Sequence, residues 1–200
     1  RIDCEFVGLT AGVHPNVEFL KESGLEIDKG ILVDDHLRTN QANVYAIGDC
    51  AQLREPLAGR KSIEPVWYVG RMRGEVCALN LCGTETPYAP GPWFNSAKFF
   101  DIEYQIYGEV PVNPGDNQQT FYWENTHEKR ALRFVFEKDS HRFLGVNAFG
   151  VRLRHALFDQ WIREEATIEH VLEHLRHADF ETEFYKRHWK EIVAQFNREF

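Results

Sequence analysis

No Gly-x-Gly occurs anywhere in these 200 residues, although 14 glycines are present. The glycine turn that cradles a dinucleotide pyrophosphate is therefore not encoded within them. Cysteine is scarce: Cys4, Cys50, Cys77 and Cys82 form no Cys-x-x-Cys pair, which excludes a local zinc ribbon or dithiol redox centre. So few thiols in this length read as reduced and cytosolic, which predicts a cytoplasmic protein. No run of 18 apolar residues exists, so no membrane span is expected, and the N-terminus has no signal-peptide architecture. Basic residues number 23 against 31 acidic ones, and the net charge of −8 disfavours nucleic acid and anionic membrane surfaces as partners. Methionine occurs once, at Met72, and Arg1-Ile-Asp-Cys-Glu-Phe-Val7 opens straight into a strand-like run. That opening is expected of a portion of a longer chain.

What is present suits a packed core: 43% of the residues are apolar and 14% aromatic. Two regions are predicted, residues 1–83 and 93–200, joined by a linker at 84–92 that carries Pro87, Pro90 and Pro92. In the first, Phe6 to Leu9, Gly30 to Asp34 and Val44 to Ile47 read as short strands. Asn16 is a candidate cap for a helix from Val17 to Ser23, with Gly24 as its stop. Glu64 to Leu81 reads as a longer helix with Pro65 in its first turn. In the second region, antiparallel strands fall within 96–149. Ile102, Tyr104 and Ile106 alternate with polar residues, as do Leu132, Phe134 and Phe136, and Phe143 to Phe149 continues a meander. Helices follow within 153–198, on the spacings Leu153, Leu157, Trp161; Ile168, Leu172, Leu175; and Phe184, Trp189, Val193, Phe196.

The densest signal is Thr39-Asn-Gln-Ala-Asn-Val-Tyr-Ala-Ile-Gly-Asp49, a short apolar strand ending on a Gly-Asp pair. Gly48 would let backbone approach a ligand closely, and the Asp49 carboxylate would accept hydrogen bonds from its hydroxyls. The alternative is that Asp49 only caps the next segment. Fifteen residues on, the predicted helix start would present the backbone amides of Val66 and Trp67, with the positive end of the helix dipole, to an anionic group. Trp67 as a buried core residue is the competing assignment.

These pieces form an ordered series. Val7-Gly-Leu-Thr-Ala-Gly12 with Pro15-Asn16, Phe19 to Leu25, Gly30 to Asp34, Thr39 to Ala51 and Glu64 to Asn80 together resemble the C-terminal portion of FAD-dependent pyridine-nucleotide-disulfide oxidoreductases, of the ferredoxin-reductase and apoptosis-inducing-factor-like kind. The resemblance implies an α/β segment of a Rossmann-like FAD domain, followed by an α+β interface domain that begins near Phe94. It implies FAD as cofactor and NAD(P)H as co-substrate, with hydride passing to FAD and on to an acceptor protein or small molecule. Gly48 and Asp49 would contact the ribityl or pyrophosphate part of FAD, and Val66 and Trp67 the pyrimidine edge of the flavin. No catalytic residue and no metal ligand is implied. The C-terminal domain would build a homodimer, and a non-catalytic dimerisation or docking module is the alternative function. At the start of that domain Asn95-Ser-Ala-Lys98 replaces the Trp-Ser-Asp-Gln of ferredoxin-type branches, which counts against an acceptor of the ferredoxin kind.

Three further groups have suggestive spacing. His170, His174 and His177 share one helical face at metal-compatible spacing, but beside Glu169 and Glu173 they read as a solvated face. Arg152, Arg154 and His155 read as a solvated helix start. Phe121, Trp123, Phe134 and Phe136 read as core rather than a base-stacking sheet.

Overall fold

The computed structural model describes residues 2–180 and 185–200, so Arg1 and the helical position read at Phe184 lie outside the described residues. Two compact units divide at Ala89 and Pro90, inside the segment read as a linker. The division falls there because Tyr88 is buried and its amide donates to the Asp35 carbonyl at 2.7 Å. Asn80 adds to this by bonding the backbone of Thr86 in both directions, at 2.9 and 2.7 Å.

The first unit is built on a two-stranded parallel sheet, β1 (Ile31–Val33) and β2 (Ala51–Leu53), paired Ile31 to Ala51 and Val33 to Leu53. A parallel pair needs its intervening chain on one side, and here that chain is residues 34–50. The pair is locked at its start by Gln52, whose side chain accepts from the amides of Gly30 and Lys29 at 2.9 and 3.1 Å. Gly30 lies so near β2 that a Cβ would come within 2.6 Å of the Cys50 carbonyl, so only glycine admits this approach. One long helix, α1 (Trp67–Leu81), follows.

Several local expectations change. Residues 6–9 form no strand and are exposed, because a strand requires a neighbour for its backbone groups and none of the described segments pairs with them. The helix expected from Val17 is a 3-10 turn at Glu18–Leu20 with no side-chain cap, so Asn16 does not serve as one. Val44 to Ile47 is not a strand but the return arm of a tight turn. Its amides and carbonyls answer Leu37 to Thr39, with a single bridge between Arg38 and Tyr45, and only Ala46 is buried. Helix α1 starts at Trp67 rather than Glu64. A residue preceding proline is pushed out of the helical region, and Glu64 is held outside the helix by a bidentate bond to Arg60.

The second unit carries a five-stranded antiparallel sheet: β3 (Phe94–Phe99), β4 (Ile102–Gly108), β5 (Gln118–Asn125), β6 (Arg130–Glu137) and β7 (Phe143–Phe149), in the order β3-β4-β7-β6-β5. The chain is therefore not a simple meander: β7 returns to fill the place between β4 and β6. Phe121, Trp123, Leu132, Phe134, Phe136, Val146 and Ala148 point to one face, as their period of two predicts. That face is covered by α2 (His155–Arg163), α3 (Ile168–Glu173), α4 (Leu175–Ala178) and α5 (Trp189–Glu199), which supply Phe158, Trp161, Ile168, Leu172, Leu175, Ile192 and Phe196. The β6–β7 hairpin closes through Arg142, which donates to Glu137 at 2.5 Å, with Ser140 also bonded to that carboxylate. These bonds hold Glu137 down at a pKa of about 2. Across the described residues the fold is thus mixed α/β and α+β, as expected.

Candidate functional site

Gly48–Cys50 is a 3-10 turn that feeds directly into β2. Gly48 adopts φ +76, which glycine reaches without strain, and a Cβ there would meet nothing within 4 Å. Its outer side is open. Asp49 follows as an exposed residue with no hydrogen bond or ion pair to any described residue. Nothing caps with this carboxylate, so the alternative assignment to a capping role has no support in the geometry.

The turn rests on the first half of α1. The helix and turn are in van der Waals reach, with the Cβ position of Gly70 lying 3.9 Å from the Gly48 Cα. Asp49 and the mouth of α1 therefore belong to one corner of the unit. Val66 precedes the helix in extended conformation with no side-chain cap, and its carbonyl accepts the Gly70 amide at 3.1 Å. The Val66 amide itself is engaged, donating to the Glu64 carbonyl at 2.8 Å, so the expectation that it is free does not hold. Pro65 forces this tight turn. The leading helix amides, from Trp67 onward, are those with no carbonyl inside the helix to receive them. Trp67 is 70% exposed, which excludes the core assignment, and its ring lies 5.5 Å from Tyr68 and under the Arg71 guanidinium at 5.9 Å.

Beneath this corner lies a charged cluster that spacing did not reveal. Arg73, fully buried on α1, donates through Nη1 to the Ala51 carbonyl at 2.9 Å and toward the Gly48 carbonyl at 3.5 Å. Its guanidinium lies over the Tyr88 ring at 5.3 Å, and burial pushes the Tyr88 hydroxyl above its ordinary range. The buried Arg60–Glu64 pair acts on the same hydroxyl. An arginine in mid-helix, among Arg71, Glu75 and other polar residues, gives no sequence signal of burial.

The histidine group does not converge. The helix breaks at His174, between α3 and α4, and the rings of His170 and His174 stack at 4.3 Å. His174 Nδ1 donates to the His170 carbonyl at 2.9 Å and His177 Nε2 accepts from Arg176 at 3.1 Å, so the ring nitrogens serve separate partners. Among the described residues, Asp34, Asp35 and His36 bring three ligand atoms within 4.8 Å. They are occupied in a turn: Asp34 accepts the amides of His36 and Arg38, and His36 Nδ1 bonds Asp35 at 2.6 Å.

The family described as pyridine nucleotide-disulphide oxidoreductase matches residues 1–74, the span that holds the parallel pair, the Gly-Asp turn and the first half of α1. Over these residues the chain is similar to that oxidoreductase family. Among its relatives is an NADH oxidase of Methanocaldococcus jannaschii, 34% identical over 104 residues, which are 50% of this chain and 23% of that protein. An NAD(P)H sulfur oxidoreductase (CoA-dependent) of Pyrococcus furiosus is 29% identical over 75% of this chain and 37% of its own length. Among solved structures, an NAD-dependent persulfide reductase from A. fulgidus superposes with a TM-score of 0.70 at 23% identity, covering 94% of this chain and 37% of that one. That likeness establishes the shared fold across both units. The chain spans about a quarter of the length of curated relatives such as the NADH oxidase, at 23%, and a rubredoxin-NAD(+) reductase, at 24%. Among the described residues no helix is long and apolar enough to cross a membrane.

Proposed function

We propose that this chain serves in an FAD-dependent NAD(P)H oxidoreductase, where its first unit holds the flavin cofactor and its second is the interface domain. The supporting observation is the corner where the Gly48–Asp49 turn rests on α1 within the residues that match the family. The donor set fits FAD. An unpartnered, exposed carboxylate suits sugar hydroxyls, the open side of Gly48 leaves room for a ligand to approach, and an uncapped helix mouth suits an electron-rich ring edge.

When bound, FAD supplies the two-electron chemistry that accepts hydride from NAD(P)H and passes electrons to an acceptor protein or small molecule. The chain's own residues do the rest. Asp49 accepts hydrogen bonds from the ribityl or adjacent pyrophosphate region, and Gly48 keeps side-chain bulk away. Val66 sets the start of α1 by taking the Gly70 amide. The helix mouth at Trp67 stabilises negative charge on the pyrimidine edge by about 0.3–1 kcal/mol, more where partly buried.

Asp49→Ala in the natural full-length protein is expected to weaken FAD about 10- to 100-fold, the value of a charged hydrogen bond. Flavin fluorescence titration measures it, and an unchanged affinity overturns the flavin assignment. The second unit would build a homodimer, supported by the exposed aromatics Phe99 and Phe100 on the β3–β4 hairpin. Sedimentation of the purified protein at micromolar concentration should give a dimer, and a monomer at all concentrations removes that part. The four cysteines are free, which supports a reducing, cytoplasmic setting.

A further inference from the structure

We propose that Arg73 is the positioning residue of the flavin-holding turn: it ties the two backbone carbonyls that bracket Asp49 and Cys50 to helix α1, and so fixes where the Asp49 carboxylate points. The inference rests on the flavin assignment above, and deepens it by naming a residue that does not itself touch cofactor.

The geometry carries it. Arg73 Nη1 bridges the Ala51 carbonyl at 2.9 Å and the Gly48 carbonyl at 3.5 Å, one on each side of the exposed pair between them. Ala51 is also the first residue of β2, in register with Ile31. A single nitrogen therefore joins helix, turn and sheet at one point. Among the described residues the turn's own side chains make only a long Cys50 Sγ contact to the Ile47 carbonyl at 3.7 Å.

Charge makes the same point. Arg73 is 0% exposed, and its Nε and Nη2 have no hydrogen-bond partner among the described residues. Glu64, the carboxylate that acts on the Tyr88 hydroxyl beside Arg73, is bidentate to Arg60. The Arg73 guanidinium thus occupies buried space with no ion-pair partner of its own among the described residues. Filling that space with methionine or leucine would satisfy packing without the desolvation cost of an ion. What a methionine would not supply is the pair of carbonyl bonds, so those bonds are the property that distinguishes arginine here.

The effect on cofactor is indirect and therefore coupled. Residues that act through one another give non-additive losses, whereas independent ones add. In the natural full-length protein, Arg73→Met is expected to weaken FAD about tenfold through misplacement of the turn. Arg73→Lys, which keeps the charge and reaches one carbonyl, should recover most of that loss. The Asp49→Ala/Arg73→Met double variant should bind FAD no more weakly than Asp49→Ala alone. Independently of flavin, backbone hydrogen exchange in Arg73→Met should accelerate at residues 48–51 and not at residues 118–149. Should Arg73→Met fail to fold, Arg73→Leu carries the same cycle, since leucine also fills the space and donates to neither carbonyl. Wild-type FAD affinity in Arg73→Met, or additive losses in the double variant, would overturn the proposal while leaving the flavin assignment standing. If Asp49→Ala itself binds FAD normally, the assignment fails and Arg73 loses its role with it.

Discussion

Glu64→Leu is expected to destabilise the first unit by about 3–5 kcal/mol, the cost of stranding a buried charge after its partner is removed. Glu64 and Arg60 expose only 4% and 3% of their side chains and bond through two contacts, at 2.9 and 2.6 Å. The loss is felt in a cluster that also holds the buried Arg73 guanidinium, since both groups act on the Tyr88 hydroxyl. Replacing both partners together, as Arg60→Met with Glu64→Leu, removes the ion pair as a unit and should return stability to within about 1 kcal/mol of the original. Urea unfolding followed by hydrogen exchange over residues 51–88 reads both variants. A single substitution that costs less than about 1 kcal/mol would show that the pair is hydrated in solution rather than buried.

The distance between sequence and structure has a consistent physical cause. Where a residue's environment is set by its own strand or helix, spacing was sufficient. Leu132, Phe134 and Phe136 alternate and lie on the buried face of β6, and Leu157, Trp161 and Ile168 belong to or pack against the core as their helical spacing implies. Where the environment depends on a second segment, spacing failed. Phe6 to Leu9 has the composition of a strand, yet a strand exists only where another backbone answers it. Val44 to Ile47 is apolar but too close to the turn at Asn43, φ +63, to form a ladder. The Gly-Asp turn itself is made by the local chain, with glycine in the left-handed region, but the strand follows it at Ala51 instead of leading into it. Arg73 was not legible, since its burial arises from Gly48, Ala51 and Tyr88, which lie 25 and 22 residues before it and 15 after. The Val66 amide shows the finest limit. Proline at 65 was correctly placed near a helix start, but whether the next amide is free depends on one tight turn.

The second unit offers the other large effect. Phe158 is fully buried on α2, where its ring stacks on Tyr107 of β4 at 5.3 Å and meets Phe143 of β7 at 6.0 Å and Trp161 at 5.1 Å. One side chain thus joins the helix to two neighbouring strands, β4 and β7, whose pairing interrupts the chain order of the sheet. Phe158→Ala should cost about 3–5 kcal/mol, because the cavity left beneath three aromatic rings closes only in part. Phe158→Leu keeps most of the volume and should cost about 1.5 kcal/mol or less. Denaturation followed by tryptophan fluorescence, with Trp123 and Trp161 as reporters inside this core, measures both. Helix α2 carries a strongly amphipathic pattern, so the alternative is that its other apolar contacts suffice without the aromatic ring. Equal, small losses for alanine and leucine would favour that alternative. A large gap between them places the ring itself at the point where helix and sheet are joined, and ties the integrity of the proposed interface domain to it.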